Sequence, residues 1–259
     1  MTQALLTPAH YPGLAGKVVF ITGGGTGIGA ALVTAFAAQR AQVAFVDIQR
    51  EASLALCEQL AAQGLPRPDF IECDLRDIAA LQRTIAGVAA RHGDIAVLVN
   101  NAANDVRHRI EDVTPEFWDN GIAINQRPAF FAAQAVIAGM RRLGGGAIIN
   151  FGSVGWKLAT GGYPIYATAK ASTHGLTRAL ARDLGPDNIR VNTVVPGWVM
   201  TEKQLSQWVD DAARAEIAKS QCLKGQLLPE HLASMVLFLA SDAATMCSAQ
   251  EFTVDGGWV

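Results

Sequence analysis

Short, largely uninterrupted apolar runs recur along the chain, separated by longer stretches with helical periodicity. Lys17 to Thr22, Gln42 to Asp47, Asp69 to Cys73, Asp94 to Asn100, Gly146 to Phe151, Ile189 to Val195 and Glu251 to Val254 predict strands. Gly27 to Arg40 places Ile28, Leu32 and Phe36 at helical spacing, and Glu51 to Gln63 is a second helical stretch rich in Ala and Leu. Pro115–Arg142 and Tyr163–Leu184 predict longer helices. Strands rich in Val and Ile that alternate with helices imply a parallel sheet covered on both faces. No Pro/Gly/Ser linker or shift of composition breaks the rhythm. The expectation is α/β: a single doubly wound Rossmann-type domain over residues 16–259, its parallel sheet of about seven strands, with residues 1–15 as an N-terminal arm.

The turn after the first predicted strand carries the first chemistry. Thr22-Gly23-Gly24-Gly25-Thr26-Gly27-Ile28-Gly29 bends a strand sharply into a helix. Glycines at Gly23, Gly27 and Gly29 let backbone approach a pyrophosphate, whose charge the helix N-terminus favours. No Gly-Lys-Ser/Thr closes the run, which excludes a Walker-type loop. Asp47 ends the second strand 18 residues after Gly29, where a carboxylate bonds adenosine ribose hydroxyls or, alternatively, caps the next helix. In the first case it repels a 2′-phosphate and favours NAD. Arg50, close by, works against that preference and keeps NADP open as a poorer second cofactor.

Tyr166 and Lys170 stand four apart in a helical stretch and so share a face. A free tyrosine, with a pKa of about 10, is a poor base near neutrality. A neighbouring ammonium lowers the cost of the phenolate, and a cationic nicotinamide lowers it further. Ser153 follows the fifth strand at its C-terminal end, where open α/β sheets bind ligands, although a serine there also serves as a helix cap. Asn125 reads either as a functional residue or as a polar interruption of the long Pro115–Arg142 helix.

Taken together these segments resemble the short-chain dehydrogenase/reductase family. Thr22 to Gly29 matches its glycine motif, Asp74 in Cys73-Asp74-Leu75 its adenine-contacting acid, and Asn100-Asn101-Ala102-Ala103 its Asn-Asn-Ala-Gly segment, with Ala103 in place of the usual glycine. Asn125, Ser153, Tyr166 and Lys170 match the catalytic tetrad, and Pro196-Gly197-Trp198-Val199-Met200-Thr201 the segment that holds the nicotinamide carboxamide. The resemblance implies Tyr166 as general acid/base and Lys170 as the group that lowers its pKa and holds the nicotinamide ribose. It implies Ser153 bonded to the reacting oxygen, and Asn125 positioning a water that links Lys170 to solvent. The cofactor-binding set it implies also includes Thr26, Ile28, Ile48, Leu75, Ala102, Pro196, Gly197, Val199 and Thr201.

Around the expected pocket the residues are polar. Asn104, Asp105, Arg107, His108 and Arg109 follow the fourth strand, and Trp198, Gln204, Gln207 and Trp208 fall in the expected lid. Amides and indole faces suit a polyhydroxylated ligand, and Asn104, Ser153, Trp156, Tyr166, Trp198 and Gln204 are the expected substrate-binding residues. Asn100 to His108, Gln221 to Gly225 and Val254 to Trp258 resemble the pentose 1-dehydrogenases of the family. That resemblance implies oxidation of a cyclic aldose to a lactone, with L-arabinose favoured over D-xylose or L-fucose/D-galactose type sugars. Two alternatives are a reductase of another carbonyl, such as a 3-oxoacyl thioester, and a non-catalytic dinucleotide sensor.

Composition narrows the setting. The 259 residues are half hydrophobic and carry a net charge of -2 with a pI near 6.2, which gives no footprint for nucleic acid or anionic membrane. Four cysteines without a Cys-x-x-Cys pair read as reduced thiols, with no metal site. The segment before Lys17 lacks the marks of a signal peptide, and Pro128 to Met140 is too short to span a bilayer. A cytoplasmic enzyme without nucleic-acid or membrane partners is expected. Family resemblance adds a homotetramer built from the two long helices.

Overall fold

A computed structural model describes residues 9–259. Its strands are β1 (Val18–Thr22), β2 (Gln42–Asp47), β3 (Asp69–Glu72), β4 (Ile95–Asn100), β5 (Gly146–Phe151), β6 (Ile189–Pro196) and β7 (Glu251–Val254). The helices are α1 (Gly27–Ala38), α2 (Arg50–Ala62), α3 (Ile78–His92), α4 (Pro115–Asn125), α5 (Arg127–Arg142), α6 (Pro164–Leu184), α7 (Glu202–Gln207), α8 (Asp211–Ser220) and α9 (Pro229–Ala240). The strands form one parallel sheet in the order β3-β2-β1-β4-β5-β6-β7.

Alternation along each strand builds the layers. Val19 and Ile21 of β1 pack with Phe36 of α1, Leu60 of α2 and Val236 of α9. Val18 and Phe20, one residue out of phase, pack with Ile85 of α3, Val136 of α5 and Leu184 of α6 on the other face. Both faces being apolar, the five inner strands read as largely hydrophobic runs, while the edge strands β3 and β7 are only partly buried. The chain order reverses between β1 and β4, and the crevice beyond their carboxyl ends is where such sheets bind ligands.

One expectation fails. The Pro115–Arg142 stretch is two helices, α4 and α5, broken at Gln126 with φ −129° and ψ −57°. Pro128 has no N–H for the carbonyl four residues back, and its ring crowds that carbonyl. Asn125 therefore ends α4 and does not interrupt a helix. Of the expected arm, residues 1–8 lie outside the described residues. The rest is tied to the end of α1: Tyr11 N–H donates to Gln39 Oε1 (2.7 Å), Gln39 Nε2 donates to the Ala9 carbonyl (3.0 Å), and Leu14 is buried.

Candidate active site

Loops from the carboxyl ends of β1, β2, β4, β5 and β6 enclose a cleft of about 1310 Å³. The β1–α1 turn forms its floor. Gly23 and Gly27 have φ of +69° and +54°, the left-handed region that glycine adopts without penalty. A Cβ on Gly29 would collide with the Gly23 carbonyl oxygen, so the turn is closed to side chains there. Thr26 precedes α1 without a side-chain cap, and the first turn carries no acid. The positive end of the helix is thus free to meet an anion. Asn101 locks the turn to β4, donating from Nδ2 to the carbonyls of Thr22 (3.2 Å) and Gly23 (2.8 Å).

Asp47 sits at the rim. Its Oδ2 accepts from Gly25 N–H (2.8 Å) and its Oδ1 from Gln49 N–H (2.9 Å), so it organises the glycine turn and leads into α2 at once. Arg50 turns away to Glu72 (3.0 Å). Asp74 and Leu75 border the cleft, with the Asp74 carboxylate held by Arg76 Nε at 3.0 and 2.9 Å and its pKa lowered by that guanidinium. Ile28, Ile48, Ala102, Pro196, Gly197, Val199 and Thr201 also line it. Ala103 has none of the positive φ that would demand glycine. A long cleft with a side-chain-free turn, an open helix terminus and a carboxylate at its far rim fits a dinucleotide.

The opposite end brings together Ser153, Tyr166, Lys170 and Asn125, the expected proton-transfer residues. Ser153 leaves β5 in extended backbone and accepts from Gly155 N–H (3.1 Å), capping the short turn that follows. Burial pushes the Tyr166 phenol above its ordinary range, with the nearby Ser153 hydroxyl acting against that rise. Lys170, only 3% exposed, donates to the Phe151 carbonyl (2.8 Å) and lies 5.7 Å from the Tyr166 ring centroid. Burial lowers its pKa to about 8. Asn125 is 8% exposed; its Oδ1 accepts from Asn104 N–H (2.7 Å), and its Nδ2 donates to the carbonyls of Asn104 (3.0 Å) and Gly121 (3.1 Å). A second, small cavity of about 20 Å³ touches Asn100, Asn125 and Lys170, room for about one water molecule.

The expected substrate residues separate. Asn104, Trp198 and Gln204 line the cleft, and Trp198 Nε1 donates to Gln204 Oε1 (3.0 Å). Trp156 does not line it. The turn that Ser153 caps directs the Trp156 indole against α6, where Nε1 donates to His174 Nε2 (3.2 Å). Tyr163, Arg107 and Trp258 line the cleft as well. Tyr163 meets Tyr166 edge-on at 5.4 Å, and Trp258 stacks on Trp198 at 6.4 Å. Trp258 comes from the end of the chain, and only its place in a segment resembling the pentose enzymes signalled it.

A family model described as enoyl-(acyl carrier protein) reductase matches residues 23–259. The chain belongs to the short-chain dehydrogenase/reductase family. It is an oxidoreductase of that family. The chain is 49% identical over 253 residues to a D-xylose 1-dehydrogenase of Caulobacter vibrioides, covering 98% of this chain and 100% of that one. It is 48% identical over 252 residues to a probable galactose dehydrogenase of Rhizobium meliloti, covering 97% and 98%. Among solved structures, a blue fluorescent protein from a metagenomic library in complex with NADPH shares 34% identity at a TM-score of 0.87, covering 95% of this chain and 99% of that one.

Proposed function

We propose that this short-chain dehydrogenase/reductase oxidises a pentose at C1 to its lactone, with NAD as the preferred acceptor. The observation that carries the reading is the near full-length similarity to a D-xylose 1-dehydrogenase, joined to a cleft whose catalytic end is walled by Asn104, Gln204 and Trp198. The similarity puts D-xylose beside L-arabinose, the sugar that the resemblance to the family's pentose enzymes favours. A bound nicotinamide dinucleotide supplies the hydride acceptor. Ser153 holds the C1 oxygen and Tyr166 takes its proton as C1 loses hydride, leaving the lactone carbonyl. Lys170 stabilises the phenolate, and the small cavity beside Asn125 offers the water through which Lys170 exchanges protons.

The NAD preference rests on Asp47 at the rim and on Arg50, which is paired with Glu72 and does not reach toward a 2′-phosphate. Among the described residues no helix is long and apolar enough to cross a membrane; a cytoplasmic setting is part of the proposal. Exposed Phe117, Trp118 and Phe130 on α4 and α5 are where subunits of a homotetramer would pair.

The test is a panel of L-arabinose, D-xylose, D-galactose and simple alcohols with NAD and NADP, read by absorbance of the reduced cofactor, with trapping of the lactone. Reduction of an acetoacetyl thioester without oxidation of any aldose would overturn the reading. Cofactor binding without turnover of any substrate would instead favour a sensor.

A further inference from the structure

We propose that Arg107 is a specificity-determining residue whose guanidinium bonds sugar hydroxyls remote from C1. The inference rests on the aldose reading and deepens it. Arg107 lies in the loop after β4 and lines the cleft. Its guanidinium carbon is 3.9 Å from the Tyr163 ring centroid and 5.1 Å from that of Trp208. Stacking on aromatic faces orients the planar group while leaving its N–H edges available.

Those edges are poorly used by the protein. Arg107 Nε is buried without a hydrogen-bond acceptor, and Nη1 reaches only the Gly161 carbonyl at 3.5 Å. The other cations of this end are engaged: Lys203 by Asp105 (2.6 Å) and Lys170 by the Phe151 carbonyl (2.8 Å). Among the described residues no carboxylate forms an ion pair with Arg107. A buried donor left without an acceptor is costly in an arginine that serves packing alone.

Geometry selects the ligand. Tyr163, beneath the guanidinium, meets the Tyr166 ring at 5.4 Å, so Arg107 faces the space that a sugar fills when its C1 hydroxyl is at Tyr166 and Ser153. Five N–H donors in a fixed fork match two neighbouring hydroxyl oxygens on a pyranose ring. An acyl chain would offer nothing to them.

The experiment compares wild type, Arg107→Gln and Arg107→Lys with D-xylose, L-arabinose and their 3-deoxy and 4-deoxy analogues, alongside the NAD dissociation constant. Loss of hydrogen bonds from a charged donor predicts a sugar KM raised about tenfold to a hundredfold in Arg107→Gln, with NAD affinity unchanged. Removal of the hydroxyl that Arg107 reads should cost wild type heavily and Arg107→Gln little. Arg107→Lys should fall between, because an ammonium lacks the fork; it also supplies the measurement if Arg107→Gln does not fold. Deoxy penalties in both variants equal to those of wild type, or a parallel loss of NAD affinity, would sink the inference alone. Failure of the wild-type protein to oxidise any aldose would bring down the underlying reading, and this one with it.

Discussion

At the residue scale, Tyr166 and Lys170 are opposed in what burial does to them. Burial keeps the Tyr166 phenol protonated and drives the Lys170 ammonium toward its neutral form, with a pKa of about 8. An oxidised nicotinamide, when bound, would supply positive charge that favours the phenolate. Tyr166→Phe keeps the ring's packing and removes the group proposed to take the proton. Turnover should drop at least about a hundredfold while fluorescence titration finds NAD binding intact. Asp47 makes a second case at this scale. Asp47→Ala removes the carboxylate that would bond ribose hydroxyls and repel a 2′-phosphate, so the ratio of kcat/KM for NAD over NADP should fall or invert. An unchanged ratio would show that the rim carboxylate plays no part in choosing the cofactor. Ser153, Tyr166 and Lys170 were legible because a helix and a strand end put fixed spacings on fixed faces. Trp156 was not, because the packing of its turn against α6 decides where the indole points.

At the element scale, the apolar pattern located the strands to within a residue or two, since the inner strands are buried on both faces and contrast sharply with the polar turns around them. The same pattern misread α4 and α5 as one helix. Polar residues that a helix readily accommodates, Asn125-Gln126-Arg127, run through the break and only Pro128 marks it; the break leaves Asn125 at a helix end, bonded to the Asn104 backbone. The β1–α1 turn was legible for the opposite reason, since its glycines state the backbone directly. Gly29→Ala forces a methyl onto the Gly23 carbonyl. The turn must open, at a cost of about 1–3 kcal/mol, and NAD affinity should collapse. Calorimetric unfolding and NAD titration of the variant measure both effects.

At the scale of the whole molecule, the site carries a cost in stability. Lys170 keeps its ordinary pKa, near 10.5, when unfolded and falls to about 8 when folded. Below that folded value both states are charged and the folded protein bears the full cost of the buried ammonium. Between the two values the folded state is neutral while the unfolded state still holds the proton, so stability rises with pH. Lys170→Met should therefore be inactive, bind NAD more weakly, and yet resist urea better near neutrality. The gain should be at most about 3 kcal/mol, less what is lost with the bond to Phe151, and should fade toward about pH 10. A variant no more stable than wild type at neutrality would show that the ammonium is solvated after all.

Periodicity, turn chemistry and spacing are local properties, written within a few residues of one another. They determined the α/β class, the strands, the glycine turn and the Tyr166–Lys170 face. Partnerships between distant segments are not local: Asp105 meets Lys203 and Gln204, Arg50 meets Glu72, and Arg107 lies on Tyr163 and Trp208. Each depends on which loops the strand order brings to the same crevice and on which rotamers the packing there allows. Only the tertiary structure could therefore decide that Trp156 faces away from the cleft while Arg107 lines it.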